Sequence, residues 1–177
     1  VMAKADAHLT GVSIKDSLFH KDLGKGDLEL VVTNDALELK GTAVLGAVPV
    51  QLGWNHDFRT AALFRDRYEI SGTIEEVLNL GALGIEVPDI LARYMQGGAQ
   101  ANVNYTELSD GRQSLSARVD LAHIRLAAPE LGWDKPQGVP GTAVLELRLK
   151  DDIPAAIPKF SVSAPDMNIS GSAQFAP

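Results

Sequence analysis

Hydrophobic and polar residues alternate along much of the chain, as they do in strands that bury one face. The clearest run lies at 143–150, where apolar residues at odd-numbered positions alternate with Glu146, Arg148 and Lys150. Further runs with the same period lie at 28–33, 37–40, 50–55, 115–121 and 169–175. This pattern predicts a mainly β fold, in which a twisted and curled antiparallel sheet forms an open groove or half-barrel.

Residues that favour turns separate these runs. Asn34-Asp35 and Asp110-Gly111 have the composition of tight hairpin tips, which join antiparallel neighbours. Two more turns are predicted at 24–27, where the sequence is Gly-Lys-Gly-Asp, and at 150–152, where it is Lys-Asp-Asp.

A short helical insertion is predicted around 73–97. Thr73 and Glu76 have the spacing of a capping box, in which the threonine hydroxyl accepts from the Glu76 amide and the glutamate reaches back. A second helix is predicted to begin at Pro88, because proline fits the first helical position, and to end at Gly97-Gly98. We expect both helices to plug one end of the sheet.

Two short sequences recur after a similar interval. Gly-Thr-Ala-Val-Leu occupies 41–45 and returns at 141–145, and Ile-Ser-Gly at 70–72 returns at 169–171, both after about 100 residues. The recurrence predicts a stacked array of strand modules. The predicted division is a β-rich repeat unit at 1–72, the helical insertion at 73–98 and a second β-rich repeat unit at 99–177. Together these form one continuous domain of a longer chain.

Composition narrows the classes of partner. The formal charge is −7 and the isoelectric point is near 5.0, which argues against nucleic acid because phosphate neutralisation requires a basic patch. Cysteine is absent, which excludes disulfides and thiolate metal sites. No stretch reaches the roughly 20 apolar residues of a membrane-spanning helix, and the first residues do not resemble a signal peptide. We therefore expect any targeting segment to lie outside this sequence.

Patterns of catalytic or metal-binding residues are not found. The histidines are isolated from one another in the sequence: His8, His20, His56 and His123. We expect solvated or turn-capping histidines, with His56 in a turn after Trp54. Of the two carboxylate doublets, 75–76 is explained by the helix cap and 151–152 by a turn. A hydrolase would require a polar cluster in a cleft. The sequence predicts no enzyme activity, no cofactor and no metal.

The apolar face of the predicted sheet must be covered by something. One alternative is a closed sandwich or barrel filled by side chains, and the other is a curved sheet whose concave side holds acyl chains. A long acyl chain contributes on the order of 10 kcal/mol of gross burial, at ~0.8 kcal/mol per methylene. The residues predicted to line the concave side and bind lipid are Leu37, Leu39, Val50, Leu52, Trp54, Leu145, Leu147 and Leu149. If the sheet closes, these are ordinary core residues.

Three parts of the sequence resemble the AsmA-like proteins of Gram-negative bacteria, in particular the YhdP-type and TamB-related members. These parts are 39–45 with 50–54, 129–136 with 138–141, and 160–171. The second is the most distinctive, because it reads Leu-Gly-Trp-Asp-Lys-Pro and then Gly-Val-Pro-Gly. The resemblance spans most of residues 28–177.

The resemblance implies a periplasmic protein, anchored to the inner membrane by a segment outside this sequence. It implies repeated strands that form a hydrophobic trough and carry phospholipid between the inner and outer membranes. The implied partners are phospholipid or fatty acyl chains and neighbouring repeats of the same chain, with membrane contact through other parts. The alternative is a non-catalytic structural or assembly module for outer-membrane biogenesis, with a closed β core and sheet edges that pair with neighbours.

Overall fold

The computed structural model describes residues 3–83 and 93–175, and in that part of the chain the fold consists of two antiparallel sheets. The strands are β1 (Lys4–Ile14), β2 (Leu23–Thr33), β3 (Ala36–Leu45), β4 (Val48–Asp57), β5 (Phe64–Ile74), β6 (Met95–Gly97), β7 (Ala99–Leu108), β8 (Arg112–Asp120), β9 (Ile124–Ala128), β10 (Trp133–Lys135), β11 (Thr142–Lys150), β12 (Ile153–Ala164) and β13 (Met167–Gln174).

The larger sheet has ten strands in the order β1-β2-β3-β4-β5-β7-β8-β11-β12-β13, so that spatial neighbours follow one another along the chain. All its pairs are antiparallel. Strands β1 and β13 form its two edges and do not pair with each other, so the sheet is not closed into a barrel. The predicted mainly β fold with an open antiparallel sheet is confirmed.

Alternation determines which side of this sheet is buried. In β8, Gln113, Leu115, Ala117 and Val119 are buried, whereas every residue between them is exposed. The same alternation continues through β7, where Ala99, Ala101 and Val103 are the buried residues. We call the buried side of the large sheet the inner face and the other side the outer face.

The hairpin tips predicted at 34–35 and 110–111 are confirmed, and the turn predicted at 150–152 is found at 151–152. Asp151 and Asp152 both have left-handed backbone angles, with φ of 53° and 62°, as the tightest hairpin turns require. The turn predicted at 24–27 is wrong, because these residues belong to β2. They form an irregularity in its pairing with β3, between Gly24 and Asp27. A strand that carries an extra residue bends and twists more strongly. The sequence Gly-Lys-Gly-Asp is compatible with such a bulge as well as with a turn.

Glycine allows β3 to follow this irregularity closely. Gly41 has φ +154°, and a Cβ added there would lie 2.1 Å from the carbonyl oxygen of Asp27 in β2. Further pairing irregularities lie in β1 around Gly11, and between β11, β12 and β13. They add twist near both edges of the sheet, which favours its curl around the inner face.

The predicted helical insertion takes a different form where it is described. β5 continues to Ile74, and Thr73 pairs with Gln100 of β7, so the capping box is wrong: sheet pairing occupies the backbone that a helix start would use. Val77–Leu83 is a 3-10 helix. The helix predicted from Pro88 begins outside the described residues, and its predicted end lies in or beside strand β6, which pairs with β9. No helix in the described ranges is long and apolar enough to cross a membrane.

The two copies of each recurring sequence lie in strands that run in opposite directions. The copy at 41–45 lies in β3 and that at 141–145 begins one residue before β11, whereas those at 70–72 and 169–171 lie in β5 and β13. Each second copy lies five positions further along an antiparallel sheet, so its strand runs in the opposite direction. Ala43 and Ala143 nevertheless share the inner face. To superimpose one copy on the other, a rotation would have to reverse the strand direction and yet keep both the order of the strands and the face that is buried. No rotation does this, so the two copies are not related as rigid units.

Candidate functional site

The antiparallel register arranges inner-face residues in rows that cross the sheet. An aromatic row consists of directly paired residues from β3 to β11: Leu39, Trp54, Tyr68, Tyr105, Leu115 and Leu147. On one side of it lies an aliphatic row: Gly41, Leu52, Ile70, Val103, Ala117 and Leu145. On the other side lies a polar row, which has a leucine at each end: Leu37, His56, Asp66, Glu107, Gln113 and Leu149.

All the residues predicted to line the concave side lie on the inner face. Seven belong to the three rows above, and Val50 lies in the next row, opposite Ala43 and Gly72. Leu39, Val50 and Leu52 are buried, and the remaining five are half-buried. Three strands, β5, β7 and β8, separate the residues of β3 and β4 from the leucines of β11. The structure therefore places the predicted residues at two ends of one continuous face.

One end of the inner face is filled by the protein itself. Val77 and Leu80 of the 3-10 helix lie in the same buried cluster as Leu121, Ile124 and Leu126, which belong to the small sheet and the segment before it. The same cluster includes Ile74, Ala99 and Val119 of the large sheet. The 3-10 helix and the small sheet therefore cover this part of the inner face with side chains.

The connection between β1 and β2, residues 15–22, covers a different part of the inner face. Its Phe19 ring meets the Tyr105 ring edge-on, with centroids 6.2 Å apart and an interplanar angle of 90°. Tyr105 lies in β7, four strand positions from β2, which corresponds to roughly 19 Å along a flat sheet at ~4.8 Å per strand. This contact requires the connection to reach across the concave side of a curled sheet.

A cavity lies between this connection and the sheet. Its volume is about 260 Å³, and its walls include Ser17 and Leu18 from the connection. The facing wall is formed by inner-face residues of β2, β3, β4 and β5: Leu23, Leu28, Leu39, Leu52, Trp54 and Tyr68. Three of the predicted lipid-binding residues, Leu39, Leu52 and Trp54, thus line one apolar cavity.

Aromatic rings continue from the cavity wall across the sheet. Trp54 and Tyr68 stack in nearly parallel planes, with centroids 5.7 Å apart. Tyr68 and Tyr105 are tilted at 48°, with centroids 6.0 Å apart. Offset and edge-on pairs of this kind stabilise a sheet beyond the area they bury. The aromatic row therefore separates the aliphatic row from the polar row.

The polar row is anchored by Asp66. Its Oδ1 accepts a 2.7 Å hydrogen bond from Trp54 Nε1 and lies 2.8 Å from His56 Nδ1. The prediction that His56 occupies a turn is wrong, because β4 continues to Asp57 and His56 pairs with Asp66 of β5. His8 and His20 are exposed, as predicted. At the far end of the row, Gln113 Nε2 donates to Asp152 Oδ1 at 3.0 Å.

The tyrosine hydroxyls beside this row stay protonated at neutral pH. Burial, and then the carboxylates of Asp152, Glu107 and Asp66, raise the pKa of Tyr105 to about 12. Burial also raises the pKa of Tyr68, again with contributions from Asp66 and Glu107. The surroundings of both hydroxyls are apolar and negatively charged.

Asp66, Tyr68, Tyr105 and Glu107 are the residues that the sequence analysis missed. A signal for them exists, because Tyr68, Ile70 and Gly72 alternate with Arg67, Glu69 and Ser71, as expected of a strand. Asp66 interrupts the apolar side of that alternation, and Glu107 does the same in β7. Polar residues on the buried side of a strand interrupt the alternation of apolar and polar residues by which the strand is predicted.

Within 3–83 and 93–175, no group of three or more His, Asp or Glu side chains is arranged to hold a metal ion. The comparisons add no relative to this description. No protein-family model matches the chain, and neither the curated proteins nor the solved structures contain a match.

Proposed function

We propose that this chain binds the hydrocarbon chains of lipids against the inner face of its curled sheet. The observation that carries the proposal is the apolar cavity of about 260 Å³ beneath residues 15–22. An open sheet with one apolar face and a space that its own side chains leave unfilled has the form that an acyl chain requires.

The size of the cavity is sufficient for part of an acyl chain. An apolar cavity of about 150 Å³ in another protein stays dry and binds benzene, and this cavity is larger. Each methylene that enters contributes ~0.8 kcal/mol of burial. This contribution has no preferred direction, so burial alone does not fix the position of the chain in the cavity.

The wider role belongs to the same proposal. The resemblance to AsmA-like envelope proteins supports a periplasmic segment that carries phospholipid between the inner and outer membranes. In this role the chain acts without a cofactor or a catalytic step, and an inner-membrane anchor and neighbouring repeats lie in other parts of the protein.

Lipid recovery from the purified chain tests the proposal directly. We expect native mass spectrometry to show bound lipid, and a fluorescent fatty acid to bind at one molecule per chain and to be displaced by unlabelled lipid. Recovery of no lipid, together with no uptake of the fluorescent fatty acid, would overturn the proposal.

A pair of variants locates the hydrocarbon chain. Leu39→Phe enlarges a side chain in the cavity wall, whereas Leu37→Phe makes the same change two residues earlier on the same face, outside that wall. We expect Leu39→Phe to weaken binding of the fluorescent fatty acid about tenfold, and Leu37→Phe to change it by less than about threefold. Equal losses would place the chain along the open face instead of in the cavity.

A structural or assembly module is the second candidate, and the edge strand β13 favours it. β13 contains no charged residue, whereas the other edge strand, β1, carries Lys4, Asp6 and His8. An edge without charges is suited to pairing with a further strand. This candidate predicts concentration-dependent self-association in sedimentation experiments that Ser170→Lys, on β13, abolishes. A chain that stays monomeric at all concentrations contradicts self-pairing through this edge.

A further inference from the structure

The inner face changes its chemistry over a short distance. Alternate residues of a strand are about 6.7 Å apart, so the aliphatic and polar rows lie about 13 Å apart, with the aromatic row between them. The cavity spans the first part of this gradient, because its wall extends from Leu23 and Leu28 to Trp54 and Tyr68. The tryptophan at its aromatic end donates a hydrogen bond to Asp66. The cavity is therefore mainly apolar, and its aromatic end lies next to the polar row, whose acidic side chains are outside the cavity wall.

The polar end of the inner face carries two carboxylates. Asp66 pairs directly with Glu107 across β5 and β7. Among the described residues, no lysine or arginine forms an ion pair with either carboxylate, and Asp66 is contacted by His56 Nδ1 and Trp54 Nε1. The neighbouring acids Asp57 and Asp110, by contrast, are each paired with an arginine. A cation at the polar end would meet two carboxylates beside aromatic rings, without a lysine or arginine paired to either among the described residues.

We propose that the cavity selects a hydrocarbon chain that carries an ammonium group, with the chain among the leucines and the ammonium at Trp54 and Tyr68, beside Asp66 and Glu107. This inference rests on the proposed function, since it assigns the lipid class to the same cavity. Aromatic rings attract ammonium groups through their electron-rich faces, and carboxylates add a charge interaction. A lipid whose headgroup has only negative charge is repelled by the same carboxylates. The proposal therefore predicts a preference for phosphatidylethanolamine, which carries an ammonium group, over phosphatidylglycerol, which does not.

Tryptophan fluorescence provides the binding signal. The chain has two tryptophans, so Trp133→Phe leaves Trp54 as the reporter in the cavity wall. In this background we would titrate lysophosphatidylethanolamine and lysophosphatidylglycerol with the same acyl chain, below their micelle concentrations, and ethanolamine alone. We expect the ammonium lipid to bind about tenfold more tightly than the anionic one, and ethanolamine alone to give no saturable signal. Saturable binding of ethanolamine would instead assign the site to soluble amines, and overturn the lipid assignment.

Two matched charge variants test which carboxylate gives the preference for the ammonium lipid. Glu107→Gln removes a carboxylate from the polar row, and Glu69→Gln removes one from the exposed outer face of the adjacent β5. We expect Glu107→Gln to reduce the tenfold preference to about threefold or less, and Glu69→Gln to preserve it. Asp66→Asn, assayed with circular dichroism as a check of folding, should act like Glu107→Gln.

The two proposals fail in distinguishable ways. Equal affinity for the two lipids in the Trp133→Phe background, or an equal effect of Glu107→Gln and Glu69→Gln, overturns headgroup selection and leaves hydrocarbon binding intact. Absence of saturable binding by either lipid overturns the proposed function itself.

Discussion

At the residue scale, the end of β4 contains a carboxylate whose ionisation is coupled to folding. Asp57 Oδ1 accepts hydrogen bonds from the backbone N of Arg59 at 3.0 Å and from its Nε at 2.9 Å, and Oδ2 accepts from Nη2. The side-chain hydrogen bonds from Arg59, and then its backbone hydrogen bond, lower the pKa of Asp57 from 3.8 to about 2. The ionised form therefore stabilises the fold above about pH 4, and this stabilisation is lost as the pH falls through about 2.

Asp57→Asn removes this proton linkage. We expect the urea midpoint of the unmodified chain to fall more steeply than that of Asp57→Asn between about pH 4 and pH 2, because only the former binds a proton at this site on unfolding. Asp6→Asn, which changes an exposed carboxylate of β1, is the control and should keep the original slope. Parallel midpoint curves for Asp57→Asn and the unmodified chain would contradict the coupling.

Phe19 combines a useful contact with an unfavourable backbone. Its φ of 54° is left-handed, which costs a residue with a Cβ about 1 kcal/mol or more and costs glycine almost nothing. Both Phe19→Gly and Phe19→Ala remove the ring contact with Tyr105. We therefore expect Phe19→Gly to be the more stable of the two by about 1 kcal/mol in urea unfolding. Leu18 does not have a positive φ, so there we expect the alanine variant to be more stable than the glycine variant. If glycine is the more stable variant at both positions, the backbone argument is refuted.

At the element scale, the close approach of β2 and β3 depends on a missing side chain. Gly41→Ala would bring a Cβ within 2.1 Å of the Asp27 carbonyl oxygen, whereas at Gly53 the nearest atom lies 3.7 Å from an added Cβ. We expect Gly41→Ala to lower the free energy of unfolding by about 2 kcal/mol or more, and Gly53→Ala to change it by less than about 1 kcal/mol. Similar effects for both in chemical denaturation would mean that β2 moves away at little cost.

Element by element, the sequence predicts strands well where one face is uniformly apolar. The runs of β2, β3, β4, β8, β11 and β13 were all predicted from their alternation. β7 and the first part of β5 were missed because Glu107 and Asp66 interrupt the apolar side of the pattern, whereas 70–73 was predicted to start a strand. Thr73 has a local sequence that suits a helix start, but its pairing with Gln100 in the sheet determines its conformation. Local signals fail where partners distant in the sequence satisfy the backbone.

At the scale of the whole molecule, two separate parts of the chain cover the inner face. The 3-10 helix and the small sheet fill one end with side chains, and residues 15–22 roof another part while leaving a cavity. The eight predicted lipid-binding residues could be assigned to one face from alternation alone. The cavity could not be predicted, because it depends on how far the sheet curls and on where a connection crosses its concave side. Those features arise from bulges and long-range contacts that have no local period.

Ligand binding at this cavity should stabilise the whole fold, because the open sheet and its roof exist only in the folded state. A lipid at one hundred times its dissociation constant adds about 2.7 kcal/mol, which for a chain of this size raises the unfolding temperature by about 5–10 °C. We expect this rise in circular-dichroism melts with an ammonium lysolipid below its micelle concentration. The rise should increase with the logarithm of lipid concentration and be smaller in Leu39→Phe than in Leu37→Phe. An equal rise in both variants would show that the lipid stabilises some other surface, since these variants differ in whether the altered side chain lines the cavity.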